Sequence, residues 1–235
     1  MKTRLLAIGT QVFFDSTVNS SNNSFAFFGN RTADLPAIKA QFPKITFTRL
    51  KQIHSAQICE SLPNQDLVHS ADAHFSLQKN HGLCVITADC APILIFSSQE
   101  KVVAAIHAGW RGVASRILPK TLDRLKMLGL DFNNVKIMVG PHIQLDSFEV
   151  DFAAKKQILD SIQMPLPQKH FFDISEQKSK VDLHEVIKSQ IFEYPLATDN
   201  LFFLNEDTKT NLAYHSYRRD KETSGRQISF LVMKD

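Results

Sequence analysis

Three residues of metal-ligand or nucleophile type stand where the sequence places strand ends: His54, Cys90 and His107. A thiolate and two imidazoles leave one position of a tetrahedral zinc ion open, which is the pattern of a catalytic rather than a structural site. Two of the three lie in LCVITADCAPILIFSSQEKVVAAIHAGWRG, residues 83–112. Within it, residues 92–96 and 102–106 are apolar runs of strand length separated by the polar residues 97–101, a hairpin pattern. Centred between Ser98 and Gln99, the hairpin puts Ile95 opposite Val102, Ile93 opposite Ala104 and Cys90 opposite His107. Directly opposed residues have Cβ atoms about 5 Å apart, close enough for a sulfur and an imidazole nitrogen to reach one ion. A slip of one residue would send the two to opposite faces. His54 ends a segment that is apolar at Ile45 and Phe47 and turns polar at Lys51 and Gln52. After His107, Gly109-Trp110-Arg111-Gly112 allows close backbone approach and opens a helix, where Arg111 suits an anion. Spacing alone leaves the plain readings open. Cys90 can be a small core residue, and each histidine a hydrogen-bonded residue at a strand end; no HxH or HExxH pair adds weight to the metal.

The elements that must position these residues are mostly strands. Apolar runs of strand length fall at 45–50, 83–87, 92–96, 102–107, 135–139, 201–204 and 228–233, and the first ten residues read as a further strand. Helical patterns fall at 113–128, where Pro119 breaks or restarts the helix, and at 152–162 and 183–192. Residues 15–30 read as irregular, with a loop signal at 19–24, and residues 164–167 as a second loop. Strands outnumber helices without alternating with them. That predicts an α+β fold with a mixed or antiparallel sheet, in one domain over residues 1–235.

The totals exclude several classes. No stretch approaches the ~18 apolar residues of a membrane helix, and the apolar part of the N-terminus is too short for an export signal. Three cysteines with no CxxC pair make a disulfide framework an unfavoured reading and point to a reducing, cytoplasmic setting. A net charge of +3 without a Lys/Arg run speaks against nucleic acid and for a small anionic substrate or phosphate. A monomer and a homodimer are both compatible with these totals.

The motifs KQIHSAQI (51–58), ADAHFS (71–76), ITADCAPILI (86–95), AAIHAGWRGVA (104–114), VGPHI (139–143), FEV (148–150) and SYRRDKETSGR (216–226) occur in this order. Together they resemble the multicopper polyphenol oxidoreductase (laccase-domain) family, over roughly residues 45–230. The resemblance implies a β-sandwich flanked by helices and no separate cofactor domain. It also implies a metal on His54, Cys90 and His107, with Gln52 and Asp89 beside it. Arg111, Arg31 and Arg218 are the expected binders of substrate or phosphate, and His74 and His142 are further histidines lying in motif segments. The sequence departs from the family pattern at its N-terminus. It departs again before SYRR, where Glu206-Asp207-Thr208-Lys209-Thr210 replaces a usual Cys-Thr.

Three functions compete. The resemblance implies purine nucleoside phosphorolysis, with inosine, guanosine, adenosine and methylthioadenosine as substrates, together with adenosine deamination. Arginines would hold phosphate, Asp89 would favour a cationic sugar, and a zinc-activated hydroxide would serve the deamination, although no HxE is present. A second reading makes Cys90 a nucleophile activated by His107, in a hydrolase that edits cell-wall peptide precursors. For that dyad His54 has no purpose. The third is phenol oxidation by copper, which the same donors accept. A true laccase needs several copper ions and some ten histidine ligands, more than the nine histidines present.

Overall fold

The computed structural model describes residues 2–13 and 24–234. Two six-stranded sheets face each other. The first runs β1 (Lys2–Leu6), β2 (Gly9–Phe13), β3 (Phe25–Gly29), β15 (Gln227–Val232), β7 (His81–Thr87) and β4 (Thr46–Arg49). Its pairings are antiparallel except β4 with β7. The second runs β14 (Leu201–Phe203), β10 (Val135–Val139), β8 (Ala91–Ser97), β9 (Val102–Ala108), β6 (Ala73–Ser76) and β5 (Ile58–Glu60), with parallel pairs at both edges. A small antiparallel sheet adds β11 (Glu149–Asp151), β13 (Lys178–Val181) and β12 (Phe171–Asp173). The α+β class, with mixed sheets in a sandwich flanked by helices, is as expected.

Side-chain alternation along the strands builds the layers. Leu94 and Phe96 of β8 and Val103 and Ala105 of β9 meet Phe28, Leu83, Val85 and Leu231 across the sandwich. Ile93, Ile95, Ala104 and Ile106 point the other way, onto α2 (Trp110–Ala114), α3 (Ile117–Met127), α4 (Phe152–Leu159) and α5 (Leu183–Ile191). Both faces of β8 and β9 are therefore buried, which is why they read as continuous apolar runs. On the outer face of the first sheet, Phe25, Phe27, Phe42 and Phe230 pack edge to face or tilted, beneath α1 (Leu35–Gln41). The short α6 (Tyr217–Asp220) carries the SYRR segment. Among the described residues no helix is long and apolar enough to cross a membrane.

Several expectations need correction. Of the two readings for Pro119, the structure takes the restart and not the break: it sits in the first turn of α3, where its missing N–H is no loss. The break falls at Arg116, in the left-handed region at φ 61°. Residues 25–29 are not irregular but form β3, whose aromatic and alanine side chains bury on both faces. The loop signal at 19–24 lies, except for Ser24, outside the described residues. The β8–β9 hairpin closes at Ser97 opposite Val102, so Pro92 rather than Cys90 faces His107, and Ile95 faces Ala104. The turn takes four residues, with Lys101 at φ 53°, and this moves the pairing by two positions. A shift of two keeps every side chain on its face.

Candidate functional site

Because parity survives the shift, Cys90 and His107 remain on one face, as diagonal neighbours at the mouth of the hairpin. Cys90 lies where the chain crosses from the first sheet to the second, after β7 and before β8. His107 is the next-to-last residue of β9. His54 comes from the loop after β4 and takes a left-handed backbone at φ 57°. One ligand atom from each of His54, Cys90 and His107 lies within 4.8 Å of the others. Their rings and sulfur crowd around Gly109. A Cβ there would stand 3.0 Å from Cys90 Sγ and 3.2 Å from His54 Cδ2.

Charge is organised with the geometry. Burial opposes ionisation of Cys90, but the charge of His107 and hydrogen bonds from His107 and His54 bring its thiol below the usual range. Burial likewise opposes charge on His107, yet the Cys90 thiolate and the hydrogen bond to Asp72 push it up. His107 Nδ1 is 2.8 Å from Asp72 Oδ1, so Nε2 is the nitrogen left to face Cys90. Burial would raise the Asp72 carboxyl; hydrogen bonds from His107 and Ser55 instead hold it down, to about 2.

A soft thiolate and two imidazoles with an open side form a donor set that fits zinc and also accepts copper. A tetrahedral zinc needs donor separations of about 3.5 Å, from bonds of about 2.3 Å to sulfur and about 2.0 Å to nitrogen. Gly109→Ala isolates the crowding, since its φ of −71° and ψ of 163° suit alanine. We expect it to lower zinc affinity about 10-fold, in a chelator competition, with little change in thermal stability.

These residues open onto a pocket of about 590 Å³. It brings His54, Cys90 and His107 together with Gln52, Asp89, Arg111 and Arg218. Leu50, Ile86, Ile143, Phe148 and Leu183 supply apolar wall. The expected polar residues are placed with defined partners. Gln52 donates to Ile86 O and accepts from Ile86 N, at 2.7 and 2.8 Å, pinning the His54 loop to β7. Asp89, at φ 85°, accepts from Thr208 Oγ1 at 2.7 Å and from Arg218 N at 2.6 Å. Arg218 donates to Glu149 O, and Arg111 lies 4.4 Å over the Trp110 ring. Arg31 is not among the pocket-lining residues; its guanidinium donates to Leu212 O and its carbonyl accepts from His215. His74 and His142 are buried away from the pocket lining.

Sequence reasoning missed Asp72, Arg226 and Tyr217. Asp72 stands in ADAHFS, and Arg226 and Tyr217 in SYRRDKETSGR, so their motifs were in view without their roles. Arg226 lines the pocket with its guanidinium 5.7 Å over the Tyr217 ring, whose hydroxyl donates to Glu222.

A family model described as multi-copper polyphenol oxidoreductase laccase matches residues 18–234. A protein of Clostridium acetobutylicum named purine nucleoside phosphorylase is 31% identical over 190 residues, covering 79% of this chain and 76% of its own. One of the same name from Rickettsia conorii is 29% identical over 234 residues, covering 94% of this chain and 95% of its own. Among solved structures, the hypothetical protein YfiH of Bacillus licheniformis superposes with a TM-score of 0.83, at 18% identity and 99% coverage of both chains. YlmD from Geobacillus stearothermophilus gives 0.81, at 18% identity, over 96% of this chain and 100% of its own.

Proposed function

We propose, from the premise that this chain belongs to the multi-copper polyphenol oxidoreductase laccase family, that it is a zinc-dependent purine nucleoside phosphorylase. Inosine, guanosine, adenosine and methylthioadenosine are its proposed substrates, and deamination of adenosine is a second activity. The observation that carries the reading is the convergence of three metal donors, one carboxylate and several arginines on a single apolar-walled pocket. The names of relatives about 30% identical support it.

Each part has a task in phosphorolysis. Arg111, Arg218 and Arg226 hold phosphate at the pocket wall, as charge-assisted donors to its oxygens. Leu50, Ile86, Ile143, Phe148 and Leu183 exclude water around the base. Asp89, the one carboxylate among the described lining residues, opposes the positive charge that grows on the ribose as its bond to the base loosens. Its two hydrogen bonds, from Thr208 and from the Arg218 backbone, fix that charge in place. They also couple the carboxylate to the arginine segment. His54, Cys90 and His107 hold zinc, which when bound supplies Lewis acidity toward a substrate oxygen. For deamination Asp89, or a group of the substrate itself, would carry the proton.

The test is incubation of the zinc-loaded protein with inosine and adenosine, with and without phosphate, following products by chromatography. Hypoxanthine released from inosine only with phosphate is the expected result. Arg111→Ala is expected to raise KM for phosphate about 10- to 100-fold, the worth of charge-assisted hydrogen bonds, and to leave KM for inosine within about threefold. Failure to turn over either nucleoside sinks the reading.

A second reading is favoured by one observation, the Asp72–His107–Cys90 line, which is the order of orienting carboxylate, base and thiol found in cysteine hydrolases. In it Cys90 attacks a carbonyl, as in editing of cell-wall peptide precursors, and His54 takes no part in the reaction.

A further inference from the structure

Asp72 does not line the pocket, yet it touches both histidine segments of the site. Its side chain is fully buried. Oδ1 accepts from His54 N at 3.0 Å and from His107 Nδ1 at 2.8 Å. Oδ2 accepts from Ile53 N at 3.2 Å, from Ser55 N at 2.7 Å and from Ser55 Oγ at 2.8 Å. The backbone carbonyl of Asp72 also accepts from His107 N at 2.7 Å. The carboxylate therefore meets five donors, and His107 is held at main chain and ring by one residue.

We infer that Asp72 is the positioning residue of the metal site, setting the ring tautomer of His107 and the left-handed conformation of His54 with one carboxylate. The assignment rests on His54, Cys90 and His107 holding zinc. A carboxylate has no proton to offer, so it fixes the His107 proton on Nδ1 and leaves the Nε2 lone pair for a metal. It also satisfies three successive amides, of Ile53, His54 and Ser55, which holds a non-glycine residue at φ 57°.

The donor arrangement makes the consequence of Asp72→Asn specific. An amide keeps one accepting oxygen and presents two N–H donors. Three donors stand at the Oδ2 side and two at the Oδ1 side, so the amide oxygen settles toward Ser55 and its nitrogen faces His107. His107 must then accept at Nδ1 and carry its proton on Nε2, the nitrogen needed by the metal. In serine proteases, an asparagine in place of the aspartate that orients the catalytic histidine inverts the ring tautomer for the same reason.

The experiment measures zinc affinity by chelator competition for wild type, Asp72→Asn and the double variant Asp72→Asn/Ser55→Ala. It adds nitrogen-detected imidazole NMR of the zinc-loaded wild type. The expected results are a loss of about 10- to 100-fold in affinity for the single variant and a proton on His107 Nδ1 in the wild type. Part of the affinity returns in the double variant, because removing the Ser55 hydroxyl evens the donors on the two sides. A merely structural role predicts the opposite, since the second substitution can only loosen the fold further. Unchanged affinity in Asp72→Asn overturns the assignment, as does a wild-type His107 protonated at Nε2, a result that needs no variant to fold. A wild type that takes up no stoichiometric zinc overturns the metal reading itself and this assignment with it.

Discussion

Cys90→Ala is expected to abolish stoichiometric zinc binding and to lower kcat/KM for phosphate-dependent inosine cleavage by about 1000-fold, while the protein stays folded. The thiolate is the one anionic donor among His54, Cys90 and His107. Its loss leaves two neutral imidazoles that cannot hold zinc against water. Lewis-acid stabilisation of developing charge is worth several kcal/mol, and about 4 kcal/mol corresponds to the loss quoted. Packing is little affected: Cys90 is half-buried at the pocket wall, so truncation opens onto the pocket and leaves no closed cavity. His54→Ala separates this account from that of a cysteine nucleophile. A metal site loses zinc and activity together when His54 goes. A Cys90–His107–Asp72 hydrolase keeps its reacting groups and most of its rate. Steady-state kinetics beside metal analysis of both variants makes the comparison. Retention of more than about a tenth of wild-type activity by zinc-free Cys90→Ala would remove the metal from catalysis.

The two strands that carry Cys90 and His107 were legible because both of their faces are buried. Residues 92–96 and 102–107 had no alternation to misread, only length and flanking polar residues, and their ends match β8 and β9 within a residue or so. Their register was less legible. Ser97 through Val102 contain no Asn-Gly or Asp-Gly pair that would demand a two-residue turn, and a four-residue turn moved the pairing by two places. The juxtaposition of Cys90 with His107 survived because it depends on parity, which a two-residue shift preserves. His54 could be found from its motif, but neither period nor spacing reports that a loop after an edge strand of one sheet reaches the hairpin of the other.

Asp72 was illegible for a related reason. Its carboxylate gathers donors from residues 53–55 and from His107, partners set by tertiary packing rather than by any local spacing. Arg31 shows the converse. The family resemblance put it among the anion binders, but its guanidinium donates to Leu212 O and its carbonyl accepts from His215. The short strands β5, β11 and β12, three residues each, carry too few positions for a period-two pattern to appear.

Stability is expected to fall steeply as pH drops from about 6.5 toward 4.5, through buried histidines other than His54 and His107. His81 of β7 bonds Ser76 Oγ of β6 through Nδ1 at 2.9 Å and Thr48 Oγ1 of β4 through Nε2 at 2.8 Å, joining the two sheets. His74 of β6 bonds Ser61 Oγ at 3.0 Å, and His142 bonds Gly140 O at 2.8 Å. All three are fully buried. Burial lowers His81 to about 4 and His142 to about 4, and burial together with the charge of His81 lowers His74 to about 3. The ordinary histidine value applies once the chain unfolds, about 6.5. Between these values the unfolded chain binds protons that the folded one does not, so stability is fully present above about pH 6.5 and is lost as pH falls. Each such histidine removes up to about 1.4 kcal/mol per pH unit. Asp72 does not share the window. Its carboxyl is held at about 2, so its contribution is lost only below the ordinary carboxylate range. Urea unfolding in the presence of chelator at pH 8, 6, 5 and 4.5 reads the slope, expected to reach an uptake of about three or more protons on unfolding, since burial also lowers His184 and His215. His81→Gln should start less stable at pH 8, having lost a bond between the sheets, and should show a slope shallower by about one proton. A wild-type stability that is flat between about pH 6.5 and 4.5 would mean that these histidines take up protons without leaving the fold.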